Sequence, residues 1–85
     1  MKITYKKQPT KYLDRTDTNT RTKLEKAIEG LRELSGDIVK IGNTDLYRLK
    51  IEHYRIGFSY DSNSDTIEIE AILPRGDFYK TVKRR

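Results

Sequence analysis

Leu46-Tyr47-Arg48-Leu49-Lys50-Ile51-Glu52-His53-Tyr54-Arg55-Ile56-Gly57-Phe58-Ser59-Tyr60 is the stretch that decides the fold. Apolar and polar residues alternate on both sides of Glu52-His53, and a strand sorts such a pattern onto two faces. The pattern predicts a hairpin of strands over about 45–51 and 54–61, with Glu52-His53 as the tight turn. One face buries Tyr47, Leu49, Ile51, Ile56 and Phe58. The other displays Arg48, Lys50 and Arg55, and cations aligned on rigid strands suit a polyanion.

Working outward, Thr66–Leu73 reads as a further strand with Ile67, Ile69, Ala71 and Leu73 on one face and Glu68 and Glu70 on the other. The polar run Asp61–Asp65 is a turn; it is too short for a calcium loop and lacks the closing Glu, so no metal is expected. Upstream, Ile38–Ile41 is a short strand or an extended link, and Gly42-Asn43 is turn chemistry. Lys2–Lys6 alternates as a first strand, a helical turn covers Pro9–Leu13, and Asp17 or Thr18 offers an N-cap. Leu24, Ala27, Ile28, Leu31 and Leu34 form the apolar stripe of the main helix. Gly30 weakens that helix by about 1 kcal/mol relative to Ala, and Gly36 is placed to end it. The order implies one α+β domain over 1–85. A small antiparallel sheet combines an N-terminal strand with a C-terminal three- or four-strand meander, and two N-terminal helices pack on one face.

With 85 residues, 34% of them hydrophobic, the chain buries a limited core. Its net charge of +5 favours anionic partners, with the basic excess at the two ends: Lys2, Lys6, Lys7, Lys11 and Arg15, then Arg75, Lys80, Lys83, Arg84 and Arg85. Charge alone fits a solvated surface equally well. The absence of cysteine excludes disulfides, thiolate chemistry and Cys-based zinc sites. No apolar run is long enough for a membrane span. The opening Met-Lys-Ile-Thr-Tyr has no secretory h-region, so a cytoplasmic protein is expected.

Pro74 ends the last strand and Arg75 follows it, at the edge of the face carrying Arg48, Lys50 and Arg55 if the final strands are neighbours. Tyr79 comes within reach if Asp77–Lys83 folds back. The set contains no Ser/His/Asp arrangement, no Gly-rich phosphate loop and no metal cluster, and no cofactor is implied. It suits RNA phosphodiester chemistry, because RNA carries its own nucleophile in the 2′-hydroxyl. Cleavage then needs activation of that hydroxyl, stabilisation of the charged phosphorane and a proton for the leaving 5′-oxygen. Arginines match non-bridging phosphate oxygens through paired donors, and Lys50 and Tyr79 are the candidate bases. His53, in the turn, reads as an exposed residue away from the cationic face.

Leu46-Tyr47-Arg48-Leu49-Lys50, then Tyr54-Arg55-Ile56, then Arg75-Gly76-Asp77-Phe78-Tyr79-Lys80 resemble, in order and spacing, the signatures of the RelE/ParE toxin superfamily. The resemblance implies the toxin of a type II toxin–antitoxin pair that cuts mRNA in the ribosomal A site without a metal. It assigns catalytic parts to Arg48 and Lys50 (2′-hydroxyl activation), Arg55 and Arg75 (phosphate clamp) and Tyr79 (nucleotide orientation or stacking). It also implies ribosomal RNA held by the remaining basic surface, a cognate acidic antitoxin that wraps the toxin, and operator DNA bound only through the antitoxin complex. Many ribosome-dependent relatives have His before the closing Arg, where this chain has Pro74. ParE-type members share the fold but inhibit DNA gyrase without cutting RNA, and they keep the same Tyr-Arg strands.

Overall fold

A computed structural model describes residues 1–83, with only the backbone described for Val82 and Lys83; Arg84 and Arg85 of the basic tail lie outside the described residues. The elements run β1 (Lys2–Tyr5), α1 (Lys7–Arg15), α2 (Thr18–Glu29), a 3₁₀ turn (Gly30–Glu33), β2 (Asp37–Lys40), β3 (Tyr47–Ile51), β4 (Tyr54–Asp61), β5 (Thr66–Pro74) and α3 (Arg75–Lys83). The strands form one sheet in the order β1-β5-β4-β3-β2. The α+β class is as expected, with one refinement: β2 to β5 form an antiparallel meander, but β1 joins β5 in parallel, so the sheet is mixed.

The β1–β5 ladder is extended by a side chain. Beyond β1, Gln8 Nε2 donates to the Ile72 carbonyl at 2.8 Å and the Ile72 amide donates to Gln8 Oε1 at 2.9 Å. One amide side chain thus satisfies a donor and an acceptor that would otherwise be left at a partly buried strand edge.

Two helices cover one sheet face. Leu13 of α1, Leu24 and Ile28 of α2 and Leu31 pack on Leu49, Ile56, Phe58, Ile67, Ile69 and Ile72. The start of α2 follows the expected chemistry, with Asp17 Oδ2 accepting the Thr20 amide at 3.0 Å. Its end does not. The α-helix tightens into 3₁₀ geometry at Gly30, and Leu34 closes it in the left-handed region at φ 55°. Leu34 therefore leaves the apolar stripe and is 69% exposed. Gly36 instead serves the approach to β2: its φ is +118°, and a Cβ there would sit 2.7 Å from Leu49 Cδ1.

The last strand also departs from simple alternation. Phe58 pairs with Ile69 while Gly57 pairs with Ala71, so Glu70 is an extra residue on β5. That bulge exchanges the faces beyond it. Ile72, not Ala71 and Leu73, continues the core with Ile67 and Ile69. Ala71 and Leu73 turn to the other face, where α3 lies. No helix among the described residues is long and apolar enough to cross a membrane.

Candidate functional site

On β3, Arg48 and Lys50 stand opposite Gly57 and Arg55 of β4. All four occupy the face away from α1 and α2, because their neighbours Leu49, Ile56 and Phe58 are in the helix-covered core. Gly57 has no side chain, and α3 uses that gap. A Cβ on Gly57 would meet Phe78 Cε1 at 3.0 Å, so the ring lies directly on the strand. Phe78 is 2% exposed, and only about 20 Å³ of space remains among Leu46, Gly57, Glu70, Ala71, Leu73 and Phe78. The helix carrying Arg75 and Tyr79 is thus seated on the same face as Arg48, Lys50 and Arg55. Arg75 and Tyr79 are one turn apart on α3, and Tyr79 is exposed, with its ring edge-on to Phe78 at 5.6 Å between centroids.

The cations differ in how they are held. Lys50 and Arg75 are exposed and have no ion-pair partner among the described residues. Arg48 is largely covered, with Nη2 3.7 Å from the exposed Asp37 carboxylate. Arg55 is buried, 5% exposed. Its Nη1 donates to the carbonyls of Glu52 at 3.0 Å and Tyr54 at 2.9 Å, while its Nε has no partner. Arg55 is therefore held by main-chain oxygens rather than by carboxylates. Those bonds secure a strained turn, since Glu52 takes a left-handed φ of 52°, which costs on the order of 1–2 kcal/mol outside glycine.

The same turn holds the start of α3. The Arg75 amide donates to the His53 carbonyl at 2.8 Å, and Tyr54 pairs with Pro74. Three consecutive carbonyls, of Glu52, His53 and Tyr54, are thus engaged by Arg55 and Arg75. His53 is an exposed turn residue, as expected, and its main-chain carbonyl is what meets Arg75. The alternation of Tyr54–Tyr60 places the turn, but only the register against β5 brings it beside residue 75. The His53 ring is exposed and tilted against Tyr54, 5.5 Å between centroids. Tyr54 in turn meets Tyr12 edge-on at 6.4 Å. Burial, then the neighbouring Tyr54 and the Asp77 carboxylate, raise Tyr12 above the usual phenol value.

The acidic residues of β5 are charge partners. Lys6 Nζ lies 2.7 Å from Glu70 and 3.9 Å from Glu68, and Ser59 donates to Glu70 at 2.9 Å. Burial pushes Glu70 up, but the hydrogen bonds from Lys6 and Ser59 and the Lys6 charge outweigh it and hold the carboxyl below its usual range. A groove of about 770 Å³ runs along α1 past Lys7, Gln8, Lys11, Tyr12 and Arg15. Its cations recur every four residues on one helix face. Among the described residues, no group of His, Asp and Glu could hold a metal ion.

No protein-family profile matches this chain, and no curated protein sequence does. Solved structures do. The archaeal RelE–RelB complex from Pyrococcus horikoshii OT3 contains a chain with TM-score 0.73 and 24% identity, over 88% of this chain and 94% of that one. The RelB–RelE antitoxin–toxin complex from Methanococcus jannaschii matches with TM-score 0.72 and 27% identity, over 92% and 96%. The isolated E. coli RelE toxin matches with TM-score 0.70 and 17% identity, over 98% and 96%.

Proposed function

From the premise that this chain is a RelE-like protein in fold, we propose that it is the toxin of a toxin–antitoxin pair and an RNA endonuclease. The observation that carries the reading is the seating of Phe78 on Gly57, which puts exposed Arg75 and Tyr79 on the same sheet face as Arg48, Lys50 and Arg55. The cognate partner is an acidic antitoxin, in keeping with the complexes in which the neighbouring RelE chains occur. The substrate is mRNA in the ribosomal A site, and ribosomal RNA lies along the basic surface, the α1 groove included.

The reaction is attack of the 2′-hydroxyl on the adjacent phosphate, without a metal. Lys50 takes the 2′-hydroxyl proton, and Arg48 lies beside it to favour the oxyanion. Arg75 binds the non-bridging oxygens, where preorganised charge counts most as the phosphorane forms. Arg55 adds its charge from beneath and holds the turn that fixes the start of α3. Tyr79 stacks on or orients the nucleotide.

The test is purified protein added to ribosomes carrying a defined mRNA, with the cut ends mapped. Cuts within the A-site codon, leaving a 2′,3′-cyclic phosphate and a 5′-hydroxyl, are expected. Arg75→Ala should lower the rate by about 10²-fold or more, the scale of losing one donor to developing charge, with the far-UV spectrum unchanged. Intact mRNA beside blocked gyrase supercoiling would instead identify a gyrase inhibitor.

A further inference from the structure

We infer that the trough between α2 and the free end of β3 is a nucleotide subsite, which holds the RNA nucleotide immediately 5′ of the one whose 2′-hydroxyl attacks; this rests on the RNA-cleavage reading and gives the neighbouring strand a place. β2 begins at Asp37, which pairs with Lys50, so Ile51 has no β2 neighbour. The uncovered end of β3 and the flank of α2 enclose about 460 Å³, within the range of small-ligand sites. The lining combines apolar Ala27, Leu49 and Ile51 with the cations Lys23, Lys26 and Lys50, and contains no carboxylate among the described residues.

The acids of α2 are engaged elsewhere. Glu25 lies 3.4 Å from Arg21, and Glu29 lies 2.7 Å from Arg32. Lys23 reaches Glu52 at 3.4 Å, a weak pair between exposed side chains. Lys26 and Lys50 are exposed and have no ion-pair partner among the described residues. Single-stranded RNA fits such a lining, with phosphate for the ammonium groups and the face of a base for the apolar surface. The trough shares Lys50 with the cationic site, which favours the strand on which Lys50 acts over an acidic peptide. The strand order sets the direction. Arg75 follows β5, Arg55 lies on β4, Lys50 lies on β3, and the trough lies past β3. With the scissile phosphate at Arg75 and the attacking ribose at Lys50, the chain leaving that ribose toward its 5′ end enters the trough, about one strand spacing (~5 Å) further on.

Gly30, which also lines the trough, is an independent sign. Its backbone is ordinary right-handed helix, φ −61° and ψ −20°, so no turn requires glycine there. A Cβ would meet nothing closer than Ser35 Cβ at 3.5 Å, an ordinary contact. Alanine would therefore fit, and it would strengthen the helix. A residue that lowers stability without a conformational or packing need points to a functional constraint. Here the missing side chain keeps the trough open.

For the test, the cut is first mapped on ribosomes carrying ordinary mRNA. Single-turnover cleavage is then followed against protein concentration on that mRNA and on one lacking the base of the nucleotide 5′ of the attacking one. Wild type should need about tenfold more protein on the abasic mRNA, the scale of one stacked base. Gly30→Leu fills the trough with a good helix former and leaves every charge in place. It should need about tenfold more protein on ordinary mRNA, keep the maximal rate within about threefold of wild type, and lose less than about a further twofold on abasic mRNA. Lys26→Ala should raise the requirement on both mRNAs alike, because the phosphate remains when the base is gone. Wild type indifferent to the base, or a Gly30→Leu variant that cuts like wild type, overturns the subsite and leaves the nuclease reading in place. Gly30→Leu that is weakened yet keeps the full base effect assigns the trough to ribosomal RNA and likewise overturns it. So does unchanged cleavage with weaker antitoxin binding by calorimetry, which assigns the trough to an acidic peptide. Gly30→Leu should melt no lower than wild type, and a lower melting point would show that the fold itself needs glycine and would overturn the inference. Wild type that cuts neither mRNA overturns the nuclease reading as well.

Discussion

Phe78→Ala should disarm the protein without unfolding it. Phe78 is buried on the sheet face opposite the main core, and it seats α3 over Gly57. Removing a buried phenyl ring costs about 3–5 kcal/mol. α3 has nine residues, short of the roughly 12–15 that an isolated helix needs to be even marginal in water, so it depends on docking. The core of Leu24, Ile28, Leu31, Ile56 and Ile69 lies on the far side and loses no contact with the ring. The cost therefore falls on the docking of α3. At 1.4 kcal/mol per tenfold, it lowers the docked-to-undocked ratio by about 10²–10⁴-fold. Arg75 and Tyr79 leave with the helix, and cleavage should fall with the docked fraction. Hydrogen exchange of the α3 amides, read beside a urea melt followed by far-UV CD, separates local from global loss. Gly57→Ala, which places a methyl 3.0 Å from Phe78 Cε1, should act in the same direction with about 1–3 kcal/mol. Wild-type protection of α3 together with near-normal cleavage in Phe78→Ala would refute the reasoning.

Asp37→Asn should change stability by less than about 1 kcal/mol, because its pair with Arg48 is wide and the carboxylate exposed. RNA binding should strengthen as Arg48 is released, and weaker binding in a filter assay would contradict that. Gln8→Ala should destabilise by about 1–3 kcal/mol, since it strands a donor and an acceptor of Ile72; an unchanged urea midpoint would count against the clamp. Glu70 has a folded-state pKa below its unfolded value near 4.3. Its contribution to stability is therefore present above that pH and is lost as pH falls through the folded value. The stability gap between wild type and Glu70→Gln should narrow in that acid window, and curves that stay parallel there would show that Glu70 is not the group responsible.

Local pattern carried much of this molecule. The alternation through Tyr54–Tyr60 yields β4 with its bounds, Asp17 caps α2 as its chemistry requires, and the Leu24–Leu31 stripe finds the core. Where expectations missed, a neighbour in space had changed the local rule. Leu34 leaves the stripe because the helix tightens after Gly30 and ends in a left-handed residue. Ala71 and Leu73 change face because Glu70 is inserted opposite β4, and one extra residue reverses a period of two. For the site, the side-chain types and the shared face of Arg48, Lys50 and Arg55 follow from strand geometry. The sequence does not say that Arg55 spends its Nη1 on two carbonyls, or that His53 touches Arg75.

What this chain determines by itself is an inventory and its faces: a cationic hairpin, an amphipathic helix, and an Arg75–Tyr79 segment after the last strand. Those follow from periodicity, capping and charge, which act over a few residues. The tertiary structure alone decides that β1 enters parallel beside β5, that a bulge hands Ala71 and Leu73 to the second face, and that Phe78 lands on Gly57. These depend on contacts between residues far apart in the chain, set by which strand edges and ring-sized gaps remain open once the core has closed.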